Sequence, residues 1–215
     1  MQWLYCFFFL SCYVFIIVFC EWLYKKGLHP EYTRKIAHAV STLSCLLIPV
    51  CFTSHRYVLV LGILSFLILY IGYRKQLFSS IDSVNRKTYG SYLLPISFGF
   101  VYCVFILLQN KLFFVLPILI LGISDPLACV FGKMYKSKII RFNKTAIGSL
   151  AFLISTFIIS SWVLMLQMDG FKAVEMALEI SIITTVVELF SPKGSDNLTI
   201  PLSVVGSLLI FSLTF

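Results

Sequence analysis

Charge is what this chain has least of. Only 12% of its 215 residues are Asp, Glu, Lys or Arg, and of these just nine are acidic. About a quarter of a soluble globular domain is charged, so a soluble fold is excluded for the bulk of the chain. Polar linkers, low-complexity tracts and internal repeats are also lacking. The seven cysteines, at 6, 12, 20, 45, 51, 103 and 129, never form Cys-x-x-Cys. Scattered through apolar runs, they read as small buried hydrophobes rather than a disulfide frame or a zinc site. No Gly-x-x-x-x-Gly-Lys-[Ser/Thr] occurs, which excludes the standard P-loop. Residues 1–20 have no basic leading segment and no small-residue cleavage site. A first transmembrane helix is expected there rather than a removed signal peptide.

What is present is apolar: 60% of the residues are hydrophobic, with a mean hydropathy of +0.97. Crossing a bilayer takes about 20 apolar residues. Such stretches run at roughly 3–23, 36–53, 57–73, 91–109, 112–132, 146–167, 173–190 and 198–215. The expected fold is an all-α polytopic membrane protein of about eight transmembrane helices, a single domain over 1–215. Glu175, Glu179 and Glu188 make 173–190 the weakest span. Lys plus Arg number four at 25–35, one at Arg56, four at 74–87, one at Lys111, five at 133–144, then one each at Lys172 and Lys193. The alternation places the first, third, fifth and, by parity, seventh loops in the cytoplasm, with both termini outside. The net charge of +8 therefore reads as orientation and anion binding, with no nucleic-acid partner.

Those same four loops hold every polar cluster with chemical promise, which predicts a polar site on the cytoplasmic side. Gly122-Ile-Ser-Asp-Pro-Leu-Ala128 places Asp125 inside an apolar run. An ionisable group at membrane depth costs roughly 2.5–3.5 kcal/mol and reads as functional by default. Asp125 before Pro126 also looks like a helix start, Asp as N-cap and Pro at the first position. A broken helix there would aim its N-terminus and a carboxylate at metal and phosphates; the plainer reading is a capping role alone. In Arg34-Lys-Ile-Ala-His38, Arg34 and His38 share a helix face with Lys35 close by, a set that suits a phosphate; snorkelling cations are the alternative. Arg86, Lys87 and Gly90 could form a cationic wall, and Lys133 to Lys144 a second. Asp125, Glu188 and Asp196 are predicted at similar depth on one side, an oxygen set that suits Mg²⁺.

These residues resemble the CTP-dependent lipid-alcohol kinases: phytol and farnesol kinases, dolichol kinase and the yeast-type diacylglycerol kinase. Arg34-Lys-Ile-Ala-His38 is similar to the family's Arg-Lys-x-x-His. Ser124-Asp-Pro-Leu-Ala128 with Gly132 resembles its Gly-Asp-x-x-Ala-x-x-x-Gly, Ser124 standing where many members have Gly. Asn143-Lys-Thr-Ala-Ile-Gly148 resembles its Lys-[Ser/Thr]-x-x-Gly. Glu188 with Asp196-Asn-Leu-Thr-Ile-Pro201 is most like the phytol-kinase version of the last motif. The resemblance covers about residues 34–201. It implies a kinase moving the γ-phosphoryl of CTP, with Mg²⁺, to a lipid alcohol such as phytol, a polyprenol or diacylglycerol. It further implies catalysis by Asp125, His38 and Lys144. Nucleotide phosphates would be held by Arg34, Lys35, Ser124, Gly132, Lys133, Gly148 and Asn197, and the metal by Asp125, Glu188 and Asp196. A carboxylate or His38 would take the alcohol's proton. The expected location is a bacterial inner membrane or the endoplasmic reticulum. The alternatives are a phosphatidate cytidylyltransferase-like enzyme, whose long C-terminal signature is not found, and a small transporter, which should show two related halves.

Overall fold

The computed structural model describes residues 1–78, 80 and 88–214. Asp82, Arg86 and Lys87 lie outside the described residues. Helices α1 (Gln2–Lys25), α2 (Pro30–Cys51), α3 (His55–Lys75), α4 (Gly90–Leu108), α5 (Leu112–Met134), α6 (Ala146–Met165), α7 (Gly170–Leu189) and α8 (Asp196–Thr214) follow the eight apolar stretches. Between α5 and α6 runs a two-stranded antiparallel ribbon, β1 (Ile139–Arg141) and β2 (Lys144–Thr145). The ribbon is an addition to the all-helical expectation. Its turn residues, Phe142 and Asn143, both have positive φ, the backbone twist that a two-residue hairpin requires.

Six helices, α1 to α6, are long and apolar enough to cross a bilayer among the described residues. The expectation of eight spans is met in helix positions but not in that count. Helix α7 carries Lys172, Glu175, Glu179 and Glu188, too many charges for a plain lipid-crossing segment. The apolar part of α8, Asp196–Ser212, is short.

Helix α5 is the most buried of the six. Helices α2, α4, α6 and α8 pack around it, α6 also packs on α7, and α1 and α3 close the other side. Two ends of the bundle are distinct. At one, Gln2 donates to Thr53 (3.2 Å) and His55 Nδ1 meets the Tyr102 hydroxyl (3.0 Å). At the other, Thr33 donates to the Ser80 carbonyl (2.6 Å), the Tyr89 amide to the Lys193 carbonyl (2.8 Å) and Asn197 to the Gly90 carbonyl (2.7 Å). The segments after α1, α3 and α7 are thus stitched together at one end, where the polar motifs also lie.

Helix α2 starts six residues before the predicted span, because Pro30 fits the first helical position and His29 accepts the Glu31 amide as N-cap. Arg34, Lys35 and His38 are therefore presented by a formed helix, in keeping with the shared helix face expected for them. Helix α5 is not broken at Asp125. It continues through a π-helical segment, Ile120–Ser124, and Asp125 has ordinary helical dihedrals. Pro126 has no amide to return to the preceding turn. The widened turn and an outside donor, His38 Nε2 on the Leu121 carbonyl (3.1 Å), make up for that missing bond. Asp125 is accordingly inside the helix and not its N-cap.

Candidate functional site

Five helices and the ribbon contribute to one polar cavity of about 360 Å³. Helix α2 supplies Arg34 and Lys35, α5 supplies Asp125, Gly132 and Lys133, and β2 with the start of α6 supplies Lys144 and Gly148. Glu188 enters from the end of α7 and Asp196 from the start of α8. The cavity forms because the α5 and α6 backbones touch: a Cβ on Gly132 would lie 2.6 Å from Thr145 Oγ1, and one on Gly148 only 2.8 Å from the Ala128 carbonyl. Thr145 caps α6, accepting the Gly148 amide at 3.2 Å, so Lys144 just before it is held at the rim.

Charges in the cavity are divided between two lysines. The Lys35 ammonium donates to Asp125 Oδ2, and His38 Nε2 stands 3.3 Å from the same oxygen. Asp125 is 2% exposed, so those partners stand where water would otherwise solvate the carboxylate. Since a carbonyl can only accept, His38 Nε2 carries the proton it gives to Leu121. The second lysine, Lys144, donates to Glu188 and, at 2.9 Å, to Asp196. Burial opposes its charge, but Asp196 and then Glu188 outweigh burial and hold the ammonium well above the ordinary lysine range. Lys144 therefore stays a cation and is unsuited to act as a base near neutral pH. Arg34 pairs with Glu31 at 2.8 Å and reaches Thr88 at 3.4 Å. Lys133 lies 5.6 Å from the Tyr32 ring centre.

Next to the polar cavity lies an apolar cleft of about 130 Å³, framed by α1 to α5. Leu10, Ile17, Leu69, Leu94 and Phe98 are among its walls. Arg34 and Lys35 border both spaces. His38 and Asn197 face the cleft instead of the polar cavity. Ser124 lines neither; it is fully buried in the π-helical segment. Of the residues singled out from the sequence, the polar cavity thus gathers Arg34, Lys35, Asp125, Gly132, Lys133, Lys144, Gly148, Glu188 and Asp196.

Sequence reasoning passed over His29, Glu31 and Cys129, which also line the cavity. Glu31 had a readable signal, since it sits three residues before Arg34 on one helix face. Cys129, four after Asp125, also shares a helix face with a site residue, but a thiol among apolar residues carries no charge to mark it.

No three or more His, Cys, Asp and Glu side chains are grouped to hold a metal alone among the described residues. Asp125, Glu188 and Asp196 share a cavity but not one ligand shell. A magnesium ion carried by a nucleotide asks less, one or two carboxylates beside the phosphates. Glu188 Oε2 fits that request: it is buried without a hydrogen-bond partner among the described residues.

No family model matches the chain, and no solved structure matches it. Among curated proteins it is similar to the phytol kinase of Synechocystis sp., 28% identical over 202 residues, which cover 91% of this chain and 84% of that protein. The four motifs and this relative point the same way, and the chain is similar, over nearly its whole length, to a phytol kinase-like family of lipid kinases.

Proposed function

We propose that this chain is a membrane-embedded kinase that transfers the γ-phosphoryl of a nucleoside triphosphate, CTP by family resemblance, to a lipid alcohol. The observation that carries the reading is the shared wall: Arg34 and Lys35 border both the polar cavity and the apolar cleft. A triphosphate belongs in the first and an alkyl or prenyl tail in the second, so the hydroxyl and the γ-phosphorus meet at Lys35. The relative's name makes an isoprenoid alcohol the first acceptor to test; diacylglycerol is the second.

The alcohol oxygen forms a bond to the γ-phosphorus while the bond to the β–γ bridging oxygen breaks, and the diphosphate leaves with that electron pair. Asp125, the carboxylate beside Lys35, receives the alcohol's proton. His38, its Nε2–H given to the Leu121 carbonyl, braces the turn of α5 that carries Asp125. Arg34, Lys35, Lys133 and Lys144 neutralise charge on the transferred group, which matters more in phosphoryl transfer than any covalent assistance. Magnesium, when bound with the nucleotide, would be held by Glu188 and Asp196, which meet at Lys144, and would neutralise phosphate charge. The basic loops support a cytoplasmic side for this end of the bundle, where nucleotides are available.

The test is purified protein in bilayers with γ-labelled nucleotide and a set of isoprenoid alcohols and diacylglycerol. Label should enter the chloroform phase, CTP should outcompete ATP, and chelating magnesium should abolish transfer. Equal use of both nucleotides would end the CTP assignment. No lipid-soluble label with any acceptor would overturn the kinase.

A further inference from the structure

From 126 to 168 the sequence contains no carboxylate, and Lys133, Lys136, Lys138, Arg141 and Lys144 fall within twelve residues of that stretch. The ribbon that carries them also exposes apolar groups. Every residue of β1 is exposed, Ile139 and Ile140 by 61% and 53%, and Phe142 at the turn by 43%. These side chains lie beyond the end of α5, outside the helical spans. They are therefore too apolar for open water and too interspersed with cations for the bilayer core. A surface with both properties matches the boundary between headgroups and acyl chains. The Arg141 guanidinium lies 4.9 Å from the Phe142 ring centre and 4.5 Å from that of Phe190, itself 56% exposed. That stack ties the ribbon to the end of α7 and extends the aromatic surface there.

We infer that residues 135–145 form an interfacial anchor whose partner is the anionic lipid headgroups of the same bilayer. Ile139, Ile140 and Phe142 dip beneath the phosphates, and Lys136 and Lys138 pair with them. Charge complementarity selects this partner: Lys136, Lys138 and Arg141 have no acidic ion-pair partner among the described residues, Lys144 alone turning inward to Glu188 and Asp196, and they lie on the end of the bundle that the positive-inside pattern assigns to the anionic leaflet. The return strand lines the polar cavity through Lys144 and Thr145, so the lipid contact steadies one wall of the site. The inference does not depend on the kinase reading, and its test reads no enzymatic activity.

The probe is Ile140→Trp in a background where the three native tryptophans, Trp3, Trp22 and Trp162, are replaced by phenylalanine. The full chain is reconstituted into bilayers containing brominated acyl chains, with neutral or anionic headgroups. Each cation at an anionic surface favours occupancy by roughly fivefold at low salt. Emission from position 140 should be quenched in both bilayers, more strongly in the anionic one, and the difference should shrink in high salt. Adding Lys136→Ala and Lys138→Ala should erase the anionic difference while leaving quenching in neutral lipid. Water-exposed, unquenched emission in anionic bilayers would overturn the anchor. Equal quenching in neutral and anionic bilayers would overturn the choice of partner.

Discussion

A carboxylate and a lysine buried side by side cost little only while both are present. Asp125 with Lys35, and Glu188 and Asp196 with Lys144, are such sets, and removing one member strands the other at a cost of about 3–5 kcal/mol. That shapes the main mutational prediction. Asp125→Asn keeps size and shape but deletes the charge facing Lys35. Turnover should fall by about a hundredfold or more if Asp125 takes part in phosphoryl transfer. Thermal stability should drop too, because Lys35 loses its counter-charge. Lys35→Met combined with Asp125→Asn should recover stability and not activity, which separates the two effects. A monodisperse single mutant that turns over within about threefold of wild type would remove Asp125 from the site. Motif spacing pointed to Asp125, Lys35 and Lys144. It could not pair them, since the pairs are 90, 44 and 52 residues apart.

At the scale of elements, two features place the site. One is the π-helical segment of α5, which lets the helix pass Pro126 unbroken and frees the Leu121 carbonyl for His38. A sequence with Asp-Pro reads as a helix start because an isolated helix would end there; the donor from α2 makes continuation possible. The other is the close approach of α5 and α6 at Gly132 and Gly148. Gly148→Ala would push a methyl group to 2.8 Å from the Ala128 carbonyl, a backbone contact that cannot swing aside. Overpacking of this kind costs about 1–3 kcal/mol. The melting temperature should fall, and the cavity wall should open. Gly99→Ala, with nothing within 4 Å of the added carbon, is the control. Equal melting temperatures for the two variants would show that the helices can separate without penalty.

The question at the scale of the whole molecule is how many helices cross the bilayer. Helix α7 is 20 residues long, enough to span, yet it carries Glu175 and Glu179 on an exposed face. Its far end must still reach the polar cavity, because Glu188 meets Lys144 there. The expected topology has residues 138 and 193 on one side and residue 172 on the other. Single cysteines at these positions, in a version without the seven native ones, should react with an impermeant reagent accordingly. If 172 and 193 react from the same side, α7 does not span, and the bundle has one crossing fewer.

Composition and the spacing of apolar runs determined by themselves that the chain is a helical membrane bundle. Lipid offers no partners for backbone groups, and only a helix of that length satisfies its own. Loop charge also determined that the polar motifs share one end, since a strand of helices alternates sides with each crossing. Tertiary structure alone decided which lysine neutralises which carboxylate. It also decided that His38 and Asn197 face the apolar cleft, that Ser124 is sealed in the helix core, and that Arg34 and Lys35 stand between two cavities. Each of these depends on how far one helix is rotated and shifted against another. A rotation of about 100° per residue moves a side chain from cavity to lipid, and local sequence does not encode the neighbour's position.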